Sequence, residues 1–138
     1  MNQDQIIISG ATGFVGQNLT PFLEKKGWKV IPLSRKKNDQ NNITFDKVSK
    51  NDFDQVKAII HLAGKAHDLK KTSSDEEYYQ VNTELTKKLF DLFLESDSEI
   101  FIYFSSVKAV ADKVQGVLTE NHPYKPQTVY GKSKALAE

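Results

Sequence analysis

The sequence predicts an α/β fold, a doubly wound parallel sheet with strand order 3-2-1-4-5. Three observations lead there. Short β-favouring runs alternate with helical periodicity along the chain. Ile6-Ile7-Ile8 and Ile100-Phe101-Ile102-Tyr103-Phe104 are apolar without alternation, the pattern of strands covered on both faces. Glycines at positions 10, 13 and 16 join the first strand to the first helix, and right-handed crossovers fix the winding.

The first strand is Gln5 to Ser9. A helix from about Phe14 to Lys26 follows, with Val15, Leu19, Phe22 and Leu23 at helical spacing and Gly27 as C-terminal cap. Pro21 falls inside it and removes a hydrogen bond, which predicts a bend or a shortened helix. Strand two is Trp28 to Leu33. After a polar loop, a short strand three covers Ile43 to Phe45, and Asp52 to Val56 reads as a helical turn. Strand four is Ala58 to Leu62. A long helix from about Asp75 to Glu95 aligns Leu85, Leu89, Leu92 and Phe93. Strand five is Ile100 to Ser105, and a loop with Pro123 and Pro126 leads to a last helix starting near Thr128.

A chain of 138 residues is expected to form one domain, residues 1–138. That is short for a dinucleotide enzyme with its own substrate lobe. With 19 basic and 18 acidic residues, nothing points to nucleic acid or an anionic membrane. The apolar runs fall far below the ~20 residues of a bilayer span. The polar start at Asn2, Gln3, Asp4 and Gln5 lacks a secretory apolar core. Without cysteine, disulfides, zinc ribbons and thiol catalysis are excluded, and the composition suits a cytoplasmic location. His61, His67 and His122 have no metal-ligand spacing, so no metal is expected.

In such sheets ligands bind beyond the carboxyl ends of the strands, where the strand order reverses. The glycine turn after strand one allows a close approach of backbone amides to a pyrophosphate, with a helix N-terminus aimed at it. Small residues in His61-Leu62-Ala63-Gly64 would let a flat ring or ribose lie against the backbone after strand four. Ser105-Ser106 follows strand five. Tyr130 and Lys134, four apart, share one helix face. A tyrosine with pKa ~10 is a poor base at neutral pH, and an ammonium one turn away favours its phenolate. A serine hydroxyl opposite can hold a substrate oxygen while its proton leaves. Taken singly, each piece has a plainer reading: a surface helix pair, a strand end, a core histidine. Their order along one alternating chain is what carries weight.

The pieces Gly10-Ala11-Thr12-Gly13-Phe14-Val15-Gly16, His61-Leu62-Ala63-Gly64, Asn82, Phe104-Ser105-Ser106, Tyr130-Gly131-Lys132-Ser133-Lys134 and Glu138 make a joint pattern. The chain resembles the N-terminal part of an extended short-chain dehydrogenase/reductase of the NAD-dependent epimerase/dehydratase family, which acts on nucleotide sugars. The resemblance implies a Rossmann-type domain binding NAD or NADP. It implies Tyr130 as base, Lys134 as holder of the nicotinamide ribose and depressor of the Tyr130 pKa, and Ser106 as the group orienting the sugar hydroxyl. The cofactor site it implies comprises Gly10, Thr12, Gly13, Phe14, Val15 and Gly16, then Ser34 and Arg35. Leu62, Ala63 and Gly64 follow strand four, with Asn82, Tyr130 and Lys134 completing the set. Relatives dimerise through helices equivalent to Asp75–Glu95 and Thr128–Glu138, so a homodimer is an expectation.

The chain departs from the family pattern in three places. Ser34 stands where an acid would bind the ribose 2′-OH, and Arg35, the only arginine, stands beside it. A guanidinium there suits a 2′-phosphate, which leaves NAD and NADP both open. Val107 and Lys108 occupy the places of the Asp-Glu pair that sugar dehydratases use, which ranks dehydration below epimerisation or reduction. Relatives also continue well beyond the Tyr-x-x-x-Lys helix, so the chain reads as a fragment of a longer enzyme with strand five as an exposed edge. The functions expected are therefore nucleotide-sugar epimerase, NADPH-dependent keto-sugar reductase, or a non-catalytic NAD(P)-binding module.

Overall fold

The computed structural model describes residues 4–37, 40–66 and 74–138; His67 lies outside them. Five parallel strands form one sheet in the order β3-β2-β1-β4-β5, as the sequence predicts. They are β1 (Gln5–Ser9), β2 (Lys29–Ser34), β3 (Ile43–Thr44), β4 (Ala58–His61) and β5 (Ile100–Tyr103). The helices are α1 (Phe14–Lys25), α2 (Lys50–Asp54), α3 (Asp75–Tyr79), α4 (Leu85–Glu95), α5 (Val107–Val110) and α6 (Val129–Ala135), with a π-helical turn at Gln80–Glu84. The chain divides into two compact units. One is the chain up to Ala63 with Leu89–Phe104; the other is Gly64–Lys88 with Ser105–Glu138.

The first unit holds the sheet. Ile6, Ile8, Ala58 and Ile60 form a buried cluster against which Leu19 and Leu23 of α1 pack. Strand alternation turns Ile7, Ile59 and Phe101 to the opposite face. There Phe101 meets Phe90 and Phe93 of α4, at ring-centroid distances of 5.3 and 5.4 Å. This sandwiching is why β1 and β4 read as continuous apolar runs, whereas β5, expected to be covered on both faces, is covered on one only. β5 lies at the sheet edge with Ile100 and Ile102 exposed. β3 pairs only with Leu33 and Ser34, so Pro32 sits where that side of β2 has no ladder to lose.

Several sequence expectations are corrected. Pro21 does not shorten α1, which continues to Lys25. A helical φ suits proline, and the apolar contacts of Leu19 and Leu23 hold the turns on either side of the lost hydrogen bond. The helix closes one residue early, with Lys26 rather than Gly27 as C-cap and Gly27 following at φ +92°. The Trp28 N–H donates to Leu23 C=O at 3.1 Å, so β2 begins at Lys29. α2 starts at Lys50 rather than Asp52, because Ser49 and Asp52 form a capping box. β3, β4 and β5 end one or two residues earlier than expected.

In the second unit, the predicted long helix contains the π turn. It swings Asn82 fully inward, and Thr86 Oγ1 donates to the Asn82 carbonyl at 2.8 Å. α5 was not anticipated as a helix; Ser106 caps it, accepting from the Lys108 N–H at 3.2 Å. α6 is capped by Thr128, as expected for a helix starting there. A Cβ at Gly131 would lie 2.3 Å from the Lys108 carbonyl oxygen, so only glycine allows α6 this close to α5. Among the described residues no helix is long and apolar enough to cross a membrane.

Candidate active site

The glycine turn is built by exclusion of side chains. Gly10 has φ +74°, and a Cβ there would lie 2.7 Å from the Ala63 amide nitrogen. A Cβ on Gly16 would lie 2.4 Å from the Gly10 carbonyl oxygen. Gly13 is less constrained, at 3.3 Å from the same oxygen, and its N–H donates to Gly10 C=O at 3.0 Å. Gly13 is also the N-cap of α1. No side chain caps that helix, and its first turn carries no acid. First-turn N–H groups without a side-chain cap or a neighbouring acid are able to receive an anion. Phe14 and Val15 are exposed at this turn, and the Thr12 carbonyl accepts from Gln17 Nε2 at 2.8 Å.

The ends of β1 and β4 are locked together beside the turn. Buried Ser9 Oγ pairs with His61 Nδ1 at 2.5 Å and accepts from the Ala63 N–H at 3.2 Å. His61 stacks on Tyr103, with ring centroids 5.6 Å apart. Its surroundings are those of a satisfied core histidine. Leu62 and Ala63 thus leave the sheet next to Gly10, where the strand order reverses between β1 and β4. At the end of β2, Ser34 Oγ donates to the Lys36 carbonyl and accepts from Asn42 Nδ2, both at 2.7 Å. Arg35 beside it is exposed.

The other residues singled out from the sequence lie in the second unit. Fully buried Asn82 accepts from the Lys65 N–H at 2.7 Å and donates from Nδ2 to the Lys65 carbonyl at 3.0 Å. The same Nδ2 donates to Ser133 Oγ at 2.9 Å. A Cβ at Gly64 would lie 3.2 Å from Asn82 Oδ1 and 3.8 Å from Lys134 Nζ. Gly64, Asn82 and Lys134 are therefore brought together. Burial pushes the Lys134 ammonium down to about 8, with Glu138 opposing the shift. Tyr130 is half-buried on the same helix, one turn earlier. Ser106 is the α5 cap, and Ser105 Oγ donates to Glu138, whose carboxylate also accepts from the Tyr124 hydroxyl.

Three contributors escaped the sequence reading. Ser133 is fully buried between Asn82 and the Tyr130 carbonyl, to which it donates at 2.8 Å. Lys65 supplies both backbone groups that fix Asn82. Asp112 binds the chain leading into α6. Their partners lie 3 to 51 residues away in sequence, so only the Ser133 to Tyr130 contact had a local signal. Among the described residues no cluster of metal-ligating side chains occurs.

A parallel sheet of this order, with a glycine turn leading from β1 into α1, has the architecture of the Rossmann-type α/β class. Residues 6–138 match the NAD dependent epimerase/dehydratase family, and the chain belongs to it. It is similar to the UDP-glucose 4-epimerase of Vibrio cholerae, at 30% identity over 151 aligned residues that span 96% of this chain and 44% of that protein. It is also similar to the UDP-2-acetamido-2,6-beta-L-arabino-hexul-4-ose reductase of Pseudomonas aeruginosa, at 31% over 115 residues, 82% of this chain and 28% of that one. Among solved structures, MoeE5 in complex with UDP-glucuronic acid and NAD superposes with a TM-score of 0.82 at 22% identity. That match covers 96% of this chain and 46% of that one. The chain thus spans less than half the length of these relatives.

Proposed function

We propose that residues 1–138 serve as the NAD(P)-binding domain of a nucleotide-sugar epimerase. The observation that carries this reading is Lys134: an ammonium buried one turn from Tyr130 and held at about 8. Such perturbed groups cluster at functional sites. The residues fit a dinucleotide, because any side chain at Gly10 or Gly16 would fill the turn that approaches its phosphates. When bound, the nicotinamide supplies the hydride acceptor and donor.

The chain's own residues hold and move the proton. The Ser106 hydroxyl, whose oxygen already accepts from the Lys108 N–H, donates to the sugar oxygen and orients it. Tyr130 would take the hydroxyl proton as the carbinol carbon is oxidised and return it when that carbon is reduced again from the opposite face. Net oxidation state is unchanged. At neutral pH Lys134 remains mostly protonated, one helical turn from Tyr130, and its N–H groups would bind the nicotinamide ribose. Asn82 and Ser133 keep that helix in place. The partners of this reading are a nucleotide sugar and a second copy of the chain, with no membrane or nucleic acid involved, in the cytoplasm.

NADPH-dependent reduction of a keto-sugar is the second reading. It uses the same three residues. Exposed Arg35 favours it, as does the likeness to the Pseudomonas aeruginosa reductase. Dehydration ranks lower, since Lys108 directs its ammonium to Asp112 at 3.2 Å and offers no carboxylic acid. A non-catalytic NAD(P)-binding module is the alternative of another class.

Titration with NADH and NADPH, followed by turnover of UDP-sugars, separates these readings. Tyr130→Phe in the intact enzyme should abolish turnover and leave cofactor affinity nearly unchanged. Retained turnover removes Tyr130 as the base, and cofactor binding without any turnover of the unaltered enzyme favours the module.

A further inference from the structure

One carboxylate joins the segment after Ser106 to the head of the Tyr130 helix. Asp112 accepts from the Gln127 N–H at 2.6 Å, the Thr128 N–H at 3.2 Å and the Thr128 hydroxyl at 3.3 Å. Its Oδ1 also pairs with Lys108 Nζ at 3.2 Å. The side chain is only 13% exposed, so these partners replace most of its water.

The Thr128 hydroxyl passes the constraint on. Its proton is committed to Asp112, which aims its lone pairs at the Gly131 N–H, 3.1 Å away. Gly131 follows Tyr130 and lies against the Lys108 carbonyl. The Lys125 N–H donates to Val110 C=O at 2.7 Å, closing the same contact from the loop side. A relay of this kind polarises each bond in turn.

We infer that Asp112 is a positioning residue: it sets the start of α6, and so the placement of Tyr130 and Lys134, without touching cofactor or substrate itself. This rests on the proposed role of Lys134 at the nicotinamide ribose. The Asp112 carboxyl stays ionised, held below the usual range chiefly by the Gln127 N–H bond. Lys108, where dehydratases carry an acid, serves here to anchor that carboxylate.

The test is a double-mutant cycle on NADH affinity, read by fluorescence titration of the whole chain. Asp112→Ala should weaken binding about five- to tenfold, the order expected from losing charge-assisted hydrogen bonds. In a Lys134→Ala background the same change should have almost no further effect. Asp112→Asn, which keeps one acceptor oxygen, should show a smaller loss with the same coupling, and it carries the test if Asp112→Ala does not fold. Asp54→Ala is the control. That carboxylate binds Lys50 and the Asp97 N–H in the first unit, and its loss should leave affinity unchanged. Equal loss in Asp54→Ala, full affinity in both Asp112 variants, or losses that add to that of Lys134→Ala would overturn the role of Asp112 alone. Full affinity in Lys134→Ala, or no NADH binding by the unaltered chain, would overturn the cofactor reading and this role with it.

Discussion

Asn82 Nδ2 donates to Ser133 Oγ across 2.9 Å, and Ser133 in turn donates to the Tyr130 carbonyl across 2.8 Å. A residue in a π turn thereby holds the helix that carries Tyr130 and Lys134. With its two bonds to Lys65, one amide side chain satisfies three fixed points.

Asn82→Ala leaves the Lys65 N–H and carbonyl and the Ser133 hydroxyl without this partner. Stability should fall by about 2–4 kcal/mol, the range for stranding buried polar groups. Chemical denaturation of both proteins checks this. A loss under about 0.5 kcal/mol would mean water replaces the amide without strain.

The three glycines of the turn should rank in their tolerance of alanine. Gly16→Ala and Gly10→Ala put a Cβ 2.4 and 2.7 Å from backbone atoms, and Gly10 also needs its φ of +74°. Each should cost about 2 kcal/mol or more and abolish NADH binding. Gly13→Ala meets its neighbour at 3.3 Å and should cost less than about 1 kcal/mol. Thermal melts and NADH titrations of the three variants give the order.

Arg35 lies exposed beside Ser34, whose hydroxyl is already occupied by Lys36 and Asn42. If the guanidinium reads a 2′-phosphate, Arg35→Ala should weaken NADPH about tenfold and NADH less than twofold. Equal weakening of both cofactors would make the loop only solvated charge.

Lys134 carries a pH signature with a definite sign. Its folded pKa is lowered to about 8 from 10.5. The unfolded chain therefore binds more protons than the native one between these values. Burial of the charged form opposes folding fully below the folded value, and the penalty is relieved as pH rises towards 10.5. Relative to Lys134→Met, the unaltered chain should gain stability across that window. A flat difference in unfolding midpoint against pH would show that the ammonium is not desolvated.

The strand order, the glycine turn and the Tyr130–Lys134 spacing were legible because each is local or periodic. Ile6-Ile7-Ile8 announces a strand covered on both faces wherever it sits in the chain. The shortening expected at Pro21 failed for the opposite reason: a local propensity cost was outweighed by the packing of Leu19 and Leu23. The capping box of Ser49 and Asp52 was readable in principle and fixes α2 two residues earlier than expected. The Asn82 π turn left no trace in the hydrophobic pattern, since shifting the register of a helix by one residue preserves its composition.

By itself the sequence determined the α/β class, the winding of the sheet and the three positions where side chains are forbidden or nearly so. Those follow from backbone sterics and apolar periodicity, which act over a few residues. Only the tertiary structure decided that Asn82 reaches Ser133, that Asp112 binds the residues before α6, and that Lys134 loses its water. Hydrogen bonding and desolvation depend on which groups meet in space, and residues dozens of positions apart carry no mark of that meeting until the chain has folded.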